Sequence, residues 1–396
     1  MHNSQQKVKT RHIPAKDFSN RAYFPGTEDH PFHALNTLDQ YAGKIPAILY
    51  PFLFGGLAYL LAQDTTRSIA FTGFILGDLL ILALLPKLKV SFGPPTLPML
   101  FLAIFRFPFM VIFRLPVALG FQIAGTLMVI YGFVIEPQYP KVSNYKVGKS
   151  VSGAGGVIKI VHLSDLHMEY LTQAEERAIA AINALQPDLI LFTGDFFNLS
   201  HRRDEVTNQD IVHFFNRIGG SCAIFAVTGS PAVDPAESLN WILSRTRIQL
   251  LNNKSARVEI NGKVIKLYGL SCTHRPGEDS QRLSKLLESA PPDGAANILL
   301  YHSPDLAPEI ADSGIDLQLS GHTHGGQVQI PFLGPIFSAS LYGNQLSEGH
   351  YWVNDRLNLI VSRGLGLEGN AAPRVRFFSP PEIGIISFEF LQDNVK

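Results

Sequence analysis

Two patterns of apolar and polar positions divide the chain. Residues 1–43 are polar and carry Lys7, Lys9, Arg11, Lys16 and Arg21. From 44 to 136 the apolar residues run in blocks. Residues 45–62 hold no charge and are long enough to span a bilayer. Residues 68–85 are apolar except for Asp78, and Lys87 and Lys89 close the block. A Pro-rich break at 93–98 precedes an apolar region, 99–135, that contains Arg106 and Arg114. Within it, 117–135 reads as a span. Residues 99–113 are short, and a full span, a re-entrant helix or an interfacial helix all fit them. Basic residues favour the cytoplasmic side. Four spans put the N-terminal cluster, Lys87 with Lys89, and Lys141, Lys146 and Lys149 all inside; three would leave the C-terminal part outside. The expectation is four transmembrane helices in the inner (cytoplasmic) membrane, with the C-terminal part cytoplasmic. Asp78 and Arg106 are costly in apolar surroundings. An interhelical pair, snorkelling, or a lipid-phosphate contact by Arg106 would each relieve that cost.

After a linker at 137–156 the pattern changes, beginning near Gly153. Residues 158–163 form a β-rich run. Residues 171–185 have helical spacing, with Ala178, Ile179 and Ile182 on one face. Residues 189–193 read as a strand covered on both faces. A helix near 211–218, a strand at 223–228 and a helix at 235–245 follow. Asn261-Gly262 joins 258–260 to 264–267 as a hairpin. Further strands are expected at 298–301, 317–320, 357–362 and 383–389. Strands alternating with helices and then hairpins predict a mixed α/β domain over 157–396.

Charge and cysteine content narrow the function. Lys plus Arg and Asp plus Glu both number 33, so there is no basic excess for a nucleic-acid partner. Two cysteines make no disulfide framework. Oligomeric state is not readable.

The candidate chemistry lies at the ends of the predicted strands. Asp165 and His167 follow the first, Asp195 the second, His302 the strand at 298–301, and His322 and His324 the strand at 317–320. Alone, such an Asp is a turn or helix cap, and a lone HxH is a solvated turn. Together they are different, because ligands in α/β sheets gather at carboxyl ends of strands. Mixed carboxylate and imidazole donors suit Mn, Fe or Zn better than Ca or Mg. Six donors exceed the need of one ion; two divalent ions about 3.5–4 Å apart, sharing a carboxylate, fit the count and would act on a phosphoryl group through an activated water. Manganese is the first choice, iron or zinc the alternatives. His162, inside its strand, is assigned to structure. Arg363 suits a phosphate contact through its planar guanidinium, or a structural salt bridge.

These motifs are Ser164-Asp-Leu-His167, Pro187-Asp-Leu-Ile190, Thr193-Gly-Asp195, Tyr301-His-Ser-Pro-Asp305, Leu317–Gln327 with its GHTHGGQ, and Val361-Ser-Arg-Gly-Leu-Gly366. Through them the chain resembles the calcineurin-like metallophosphoesterases, in particular a membrane-anchored branch with GHTHGGQ. The resemblance covers residues 159–390. It implies a four-layer αββα sandwich, here preceded by a bundle of about four transmembrane helices. It also implies that Asp165, His167 and His324 hold one metal, that Asp195 bridges, and that His302 and His322 hold the second. Asp195 and His322 would then serve catalysis, and Gly325 and Gly326 would admit the substrate phosphate. One motif departs. The family has Gly-Asn-His-Asp or Glu after the third strand, its Asn a metal ligand and its His an aid to the leaving group. Here the chain reads Gly229-Ser-Pro-Ala-Val-Asp234. Ser230 takes the Asn position as a weaker donor, so the second metal should bind weakly. Water, His201, Asp234 or His274 would have to protonate the leaving group, unless none is needed. A phosphoanhydride needs none. The expected substrate is therefore a phosphoester or pyrophosphate, and by analogy a lipid-linked nucleotide such as the UDP-2,3-diacylglucosamine of lipid A biosynthesis. The alternative is a degenerate module that binds metal or lipid without catalysis.

Overall fold

The computed structural model describes residues 7–21, 23–24, 33–91, 93–151, 155–369 and 374–392. Gly153, where the sequence pattern changes, lies outside them. Two compact units emerge, one made of 31–138 with 369–377, the other of the remaining chain.

The first unit is helical: α1 (His33–Ala42), α2 (Leu49–Ala62), α3 (Thr65–Leu84), α4 (Thr96–Ile112) and α5 (Leu115–Val129), the last prolonged through a π turn and a 3-10 turn to Gln138. The Asp64 side chain accepts from the backbone N–H of Thr66 and Arg67 and so caps α3. Among the described residues, two helices are long and apolar enough to cross a membrane, Thr65–Leu84 and Leu115–Gln138, while α2 and α4 are shorter. The span expected at 45–62 is helical only from Leu49. Asp78 and Arg106 are both buried and form an ion pair. Arg106 also donates to Gln122 Oε1 at 2.9 Å and to the Gln122 carbonyl at 2.6 Å, and Thr126 Oγ1 donates to Asp78 at 2.8 Å. The network joins α3, α4 and α5, which is the interhelical pair among the three expected arrangements.

The second unit contains fifteen strands among the described residues. The first eight are β1 (Lys9–Arg11), β2 (Lys141–Val151), β3 (Gly156–Leu163), β4 (Leu189–Phe192), β5 (Ala223–Ala226), β6 (Ile248–Leu250), β7 (Lys254–Ile260) and β8 (Lys263–Leu270). The others are β9 (Ala296–Tyr301), β10 (Leu317–Ser320), β11 (Gln329–Ile330), β12 (Gly334–Pro335), β13 (Gly349–Val353), β14 (Leu357–Val361) and β15 (Glu382–Gln392). Five helices connect them: α6 (Gln173–Leu185), α7 (Glu205–Arg217), α8 (Ala236–Leu243), α9 (Pro276–Ser289) and α10 (Ala307–Ile310). One sheet has the order β2-β15-β3-β4-β5-β6, the other β1-β13-β14-β10-β9-β8-β7.

Strand periodicity of two explains the layers. Val161, Leu163, Ile190 and Phe192 pack with Ile179 of α6 and Ile211 and Phe214 of α7. Their neighbours Ile158, Ile160, Leu189 and Leu191 face the other way and pack on Ile265, Leu267, Ile298 and Leu300 of the second sheet. Leu299 and Tyr301 then meet Leu283 of α9 and Ile310 of α10. Helix, sheet, sheet and helix follow in order, with both sheets buried on two faces.

Six strands lie where none was expected: β1, β2, β6, β11, β12 and β13. β2 occupies most of the 137–156 linker and pairs with β15 in parallel over its whole length. Ser143, Tyr145 and Val147 alternate inward, but Lys141, Lys146 and Lys149 mask that pattern. β1 pairs with β13 and is fully exposed. β1 and β2 are edge strands, where lysine is favoured because it discourages pairing with another chain. α7 begins at Glu205 rather than near Ile211, because Asp204 caps it through the Thr207 N–H at 2.8 Å.

Candidate metal centre

β3, β4 and β5 run parallel, as do β8, β9, β10 and β14. Their carboxyl ends carry Asp165 and His167 after β3, Asp195 after β4, Ser230 after β5, His302 after β9, and His322 and His324 after β10. Main-chain bonds lace the loops together. Asp165 N donates to Gly194 O at 2.9 Å, His167 N to Asp195 O at 3.1 Å, and Gly321 N to His302 O at 2.8 Å. Asp165, His167, Asp195, His322 and His324 all adopt positive φ, between 39° and 70°. Such backbone is costly for residues other than glycine and concentrates at functional sites. His302 follows its strand directly and needs no such turn.

The donor atoms converge. His167 Nε2 lies 3.0 Å from His324 Nε2 and 3.5 Å from Asp195 Oδ2, and His324 Nε2 lies 3.4 Å from Asp165 Oδ1. Asp195 Oδ2 also lies 3.2 Å from His302 Nε2, so one oxygen faces both halves of the cluster. Donors about 2.0–2.2 Å from a shared ion sit roughly 3.0–3.5 Å from each other, which matches these separations. Asp165, His167 and His324 form one buried group able to hold an ion, and Asp165, Asp195 and His302 another. Two rings are fixed with Nε2 inward: His167 Nδ1 contacts Phe197 O at 3.1 Å, and His302 Nδ1 contacts Thr193 O at 2.8 Å. His322 Nε2 is buried and makes no hydrogen bond. A cation fits that orphaned nitrogen and the crowded carboxylates.

Electrostatics agree. Burial raises Asp165 to about 6. Burial would raise Asp195 as well, but the charges of His302 and His167 hold it well below the usual carboxylate range. Burial opposes charge on His302, yet Asp195 outweighs it and lifts the imidazole to about 10. His322 is pushed down by burial and by His274 and His302. Two buried carboxylates at one point need positive charge beside them.

Ser230 is in the cluster. Its N–H donates to Asp195 Oδ1 at 2.6 Å, and its hydroxyl lies 3.3 Å from His302 Nε2 and 3.1 Å from His274 Nε2. His274 was expected only as a proton donor; here it forms a third buried group with His302 and His322 that could hold an ion. Asp234 receives the backbone N–H groups of Asp195, Phe196 and Gly229 at 2.8–3.0 Å, so it clamps the loops. His201 lies against Tyr170, ring centroids 5.0 Å apart, on the loop after β4. Glu368, absent from the sequence reading, places Oε2 3.5 Å from His324 Nε2. It stands outside every motif, and no local signal marks it.

Arg363 and Gly325 both lie against protein groups. The Arg363 guanidinium lies 3.4 Å from Glu348 and 3.5 Å from Glu382 and donates to Pro380 O at 3.0 Å. Of the two expectations for this side chain, geometry supports the salt bridge. Gly325 has φ 58°, and an added Cβ would lie 2.8 Å from Glu348 Oε2 and 2.9 Å from Arg363 Cγ. Its missing side chain accommodates Glu348, Ser379 and Arg363. At Gly229 a Cβ would fall 1.9 Å from Asp195 Oδ1. Gly229→Ala is therefore expected to displace Asp195 and strip bound metal from the protein, measured by metal content after desalting; retention of wild-type content would contradict this.

The profile of the calcineurin-like phosphoesterase family matches residues 158–326. An uncharacterized metallophosphoesterase of Bacillus subtilis, YkuE, is 30% identical over 268 residues, 65% of this chain and 90% of its own length. The UDP-2,3-diacylglucosamine pyrophosphatase LpxG of Chlamydia muridarum is 25% identical over 324 residues, 66% of this chain and 93% of its own length. A transmembrane protein with metallophosphoesterase domain from Danio rerio is 27% identical over 266 residues, 62% of this chain and 57% of its own length.

Proposed function

Because this chain belongs to the calcineurin-like phosphoesterase family, we propose that it is a membrane-bound, metal-dependent phosphohydrolase that cleaves the pyrophosphate bond of a lipid-linked nucleotide such as UDP-2,3-diacylglucosamine. The observation that carries the reading is the convergence of Asp165, His167, Asp195, His302, His322 and His324 on one buried point. When bound, two divalent ions supply Lewis acidity that activates water and neutralises phosphoryl charge. The chain's own part is to hold the donors ready. Phe197 O and Thr193 O orient His167 and His302, and the Ser230 N–H fixes the Asp195 carboxylate between the two groups.

The substrate follows from leaving-group chemistry and from an apolar hairpin. Pro231 replaces the imidazole of the related motif, and Asp234 is engaged by three backbone N–H groups. An alkoxide leaving group wants a general acid, worth about 10²–10⁴-fold, whereas a phosphomonoester leaves an anhydride unaided. Beyond the GHTHGG loop, β11 and β12 form a hairpin, and residues 328–342 carry no charge. Phe332, Leu333, Ile336 and Phe337 are exposed on it, and Phe332 sits at φ 70°. Exposed apolar side chains on a strained turn suit contact with acyl chains or bilayer. The name of the Chlamydia relative points the same way. Membrane attachment is favoured by Thr65–Leu84, by Leu115–Gln138 and by the name of the Danio rerio relative. In this reading 44–136 forms the four-span bundle and 157–396 works at the cytoplasmic face.

The test is hydrolysis by the full chain in detergent with Mn²⁺, comparing UDP-2,3-diacylglucosamine, bis-p-nitrophenyl phosphate and p-nitrophenyl phosphate. Wild type should favour the nucleotide lipid, and His324→Ala should be inactive. Preference for p-nitrophenyl phosphate sinks the substrate assignment, and inactivity on every substrate returns the non-catalytic module. The double variant Phe332→Asp/Leu333→Asp should lower the ratio of rates on lipid and soluble substrates by about tenfold or more, since burying each side chain contributes ~1.5–3 kcal/mol. An unchanged ratio removes the hairpin from substrate capture.

A further inference from the structure

We infer that His274 is the third imidazole ligand of the second metal position, and that it turns this position toward zinc-type rather than manganese-type ions. The inference rests on the metallophosphoesterase reading and deepens it. β8 pairs with β9 in parallel, Leu270 opposite Tyr301. The loop after β8 and the residue after β9 therefore leave the same sheet edge side by side, which brings His274 to His302. The placement is built. His274 is buried and sits at φ 61°. The residue before it is fastened to Asp279, which accepts from Thr273 N at 2.9 Å and Thr273 Oγ1 at 3.0 Å. Asp279 is fully buried and also receives the Tyr301 hydroxyl at 2.6 Å. One carboxylate thus locks the loop that presents His274 to the strand that presents His302.

The ring is aimed into the site. Its centroid lies 4.4 Å from that of His322 and 6.0 Å from that of His302. One nitrogen from each of the three rings falls within 4.8 Å of the others. Ser230 Oγ, 3.1 Å from His274 Nε2 and 3.3 Å from His302 Nε2, lies between those two rings. The missing amide after β5 is thus replaced from across the site, from the other sheet. A weakly held second metal was expected from Ser230 alone; His274 removes that expectation.

The replacement changes donor chemistry. Asp165, His167, His324 and Asp195 give the first position two nitrogens and two oxygens. His274, His302, His322 and Asp195 give the second three nitrogens and one oxygen. Imidazole suits zinc and iron, carboxylate oxygen suits manganese, and intrinsic affinity also rises from Mn²⁺ toward Zn²⁺. The two positions therefore differ in preference, with zinc-type selectivity at the second.

The experiment is metal titration of the chelator-stripped full chain in detergent, with Zn²⁺ and Mn²⁺ in competition against a chromophoric chelator. Wild type should bind two ions and hold the second zinc far more tightly than manganese. His274→Ala should bind one zinc at the same concentrations. Its second-site zinc affinity should fall more than about 100-fold, since loss of an outer-shell partner alone costs about 10–100-fold. Ser230→Asn/His274→Ala should regain the second ion, through an amide oxygen, without the zinc preference. Two zinc ions bound by His274→Ala with wild-type affinity overturn the inference. If His274→Ala does not fold, His274→Gln is read for metal preference, and an unchanged zinc-to-manganese ratio overturns it equally. A wild-type chain that takes up no metal overturns the metal-centre reading itself; two zinc ions in wild type leave that reading standing whatever the variants do.

Discussion

Asp195→Asn is expected to reduce hydrolysis by about 10³-fold or more while leaving the fold intact. Asp195 is the only side chain whose one oxygen faces both His167, at 3.5 Å, and His302, at 3.2 Å, among the described residues. Its other oxygen accepts the Ser230 N–H at 2.6 Å. Asparagine keeps the size and one acceptor for that N–H, so the loop after β5 stays in place. It removes the negative charge and one oxygen from the point between the two groups. Positioned metal charge contributes several kcal/mol to phosphoryl transfer, and each ~1.4 kcal/mol is tenfold in rate. Initial rates on bis-p-nitrophenyl phosphate, metal content and a melting curve together check the expectation. A rate within tenfold of wild type, with both ions retained, would take Asp195 out of the bridging position.

The centre was legible from sequence because its donors obey a positional rule. Asp165, Asp195, His302 and His322 each lie one to three residues beyond an apolar strand, and parallel strands bring such positions to one edge. His274 also follows a strand, four residues beyond the end of β8, but was hidden. Residues 264–267 read only as half of a hairpin with 258–260. Nothing local reveals that β8 also pairs in parallel with β9 across α9. That pairing, rather than the residues around His274, puts it in the site. Arg363 shows the converse. A guanidinium fits phosphate and carboxylate equally well, and its partners Glu348 and Glu382 lie 15 and 19 residues away in sequence. Side-chain chemistry therefore could not choose between them. β1 and β2 were missed because edge strands carry the lysines that make a segment read as linker.

Asp78→Ala is expected to destabilise the helical unit by about 3–5 kcal/mol, the usual cost of removing one partner from a buried ion pair. Asp78 and Arg106 are almost wholly inaccessible, at 0% and 3% exposure, so the guanidinium has no water to turn to. Gln122 and Thr126 still accept from it, which keeps the loss toward the lower end of that range. The informative comparison is Asp78→Ala/Arg106→Leu. Removing both charges leaves no buried ion unpaired, and apolar replacement of such pairs is often neutral. The double variant should recover most of the stability lost by the single one, giving a strongly non-additive cycle. Denaturant unfolding of the full chain in detergent, followed by far-ultraviolet circular dichroism, measures all four corners. If the two single losses simply add, Asp78 and Arg106 are not energetically coupled, and the three-helix network has no role in holding α3, α4 and α5 together. If the cycle closes as expected, Arg106 is engaged inside the bundle and is not available to a lipid phosphate.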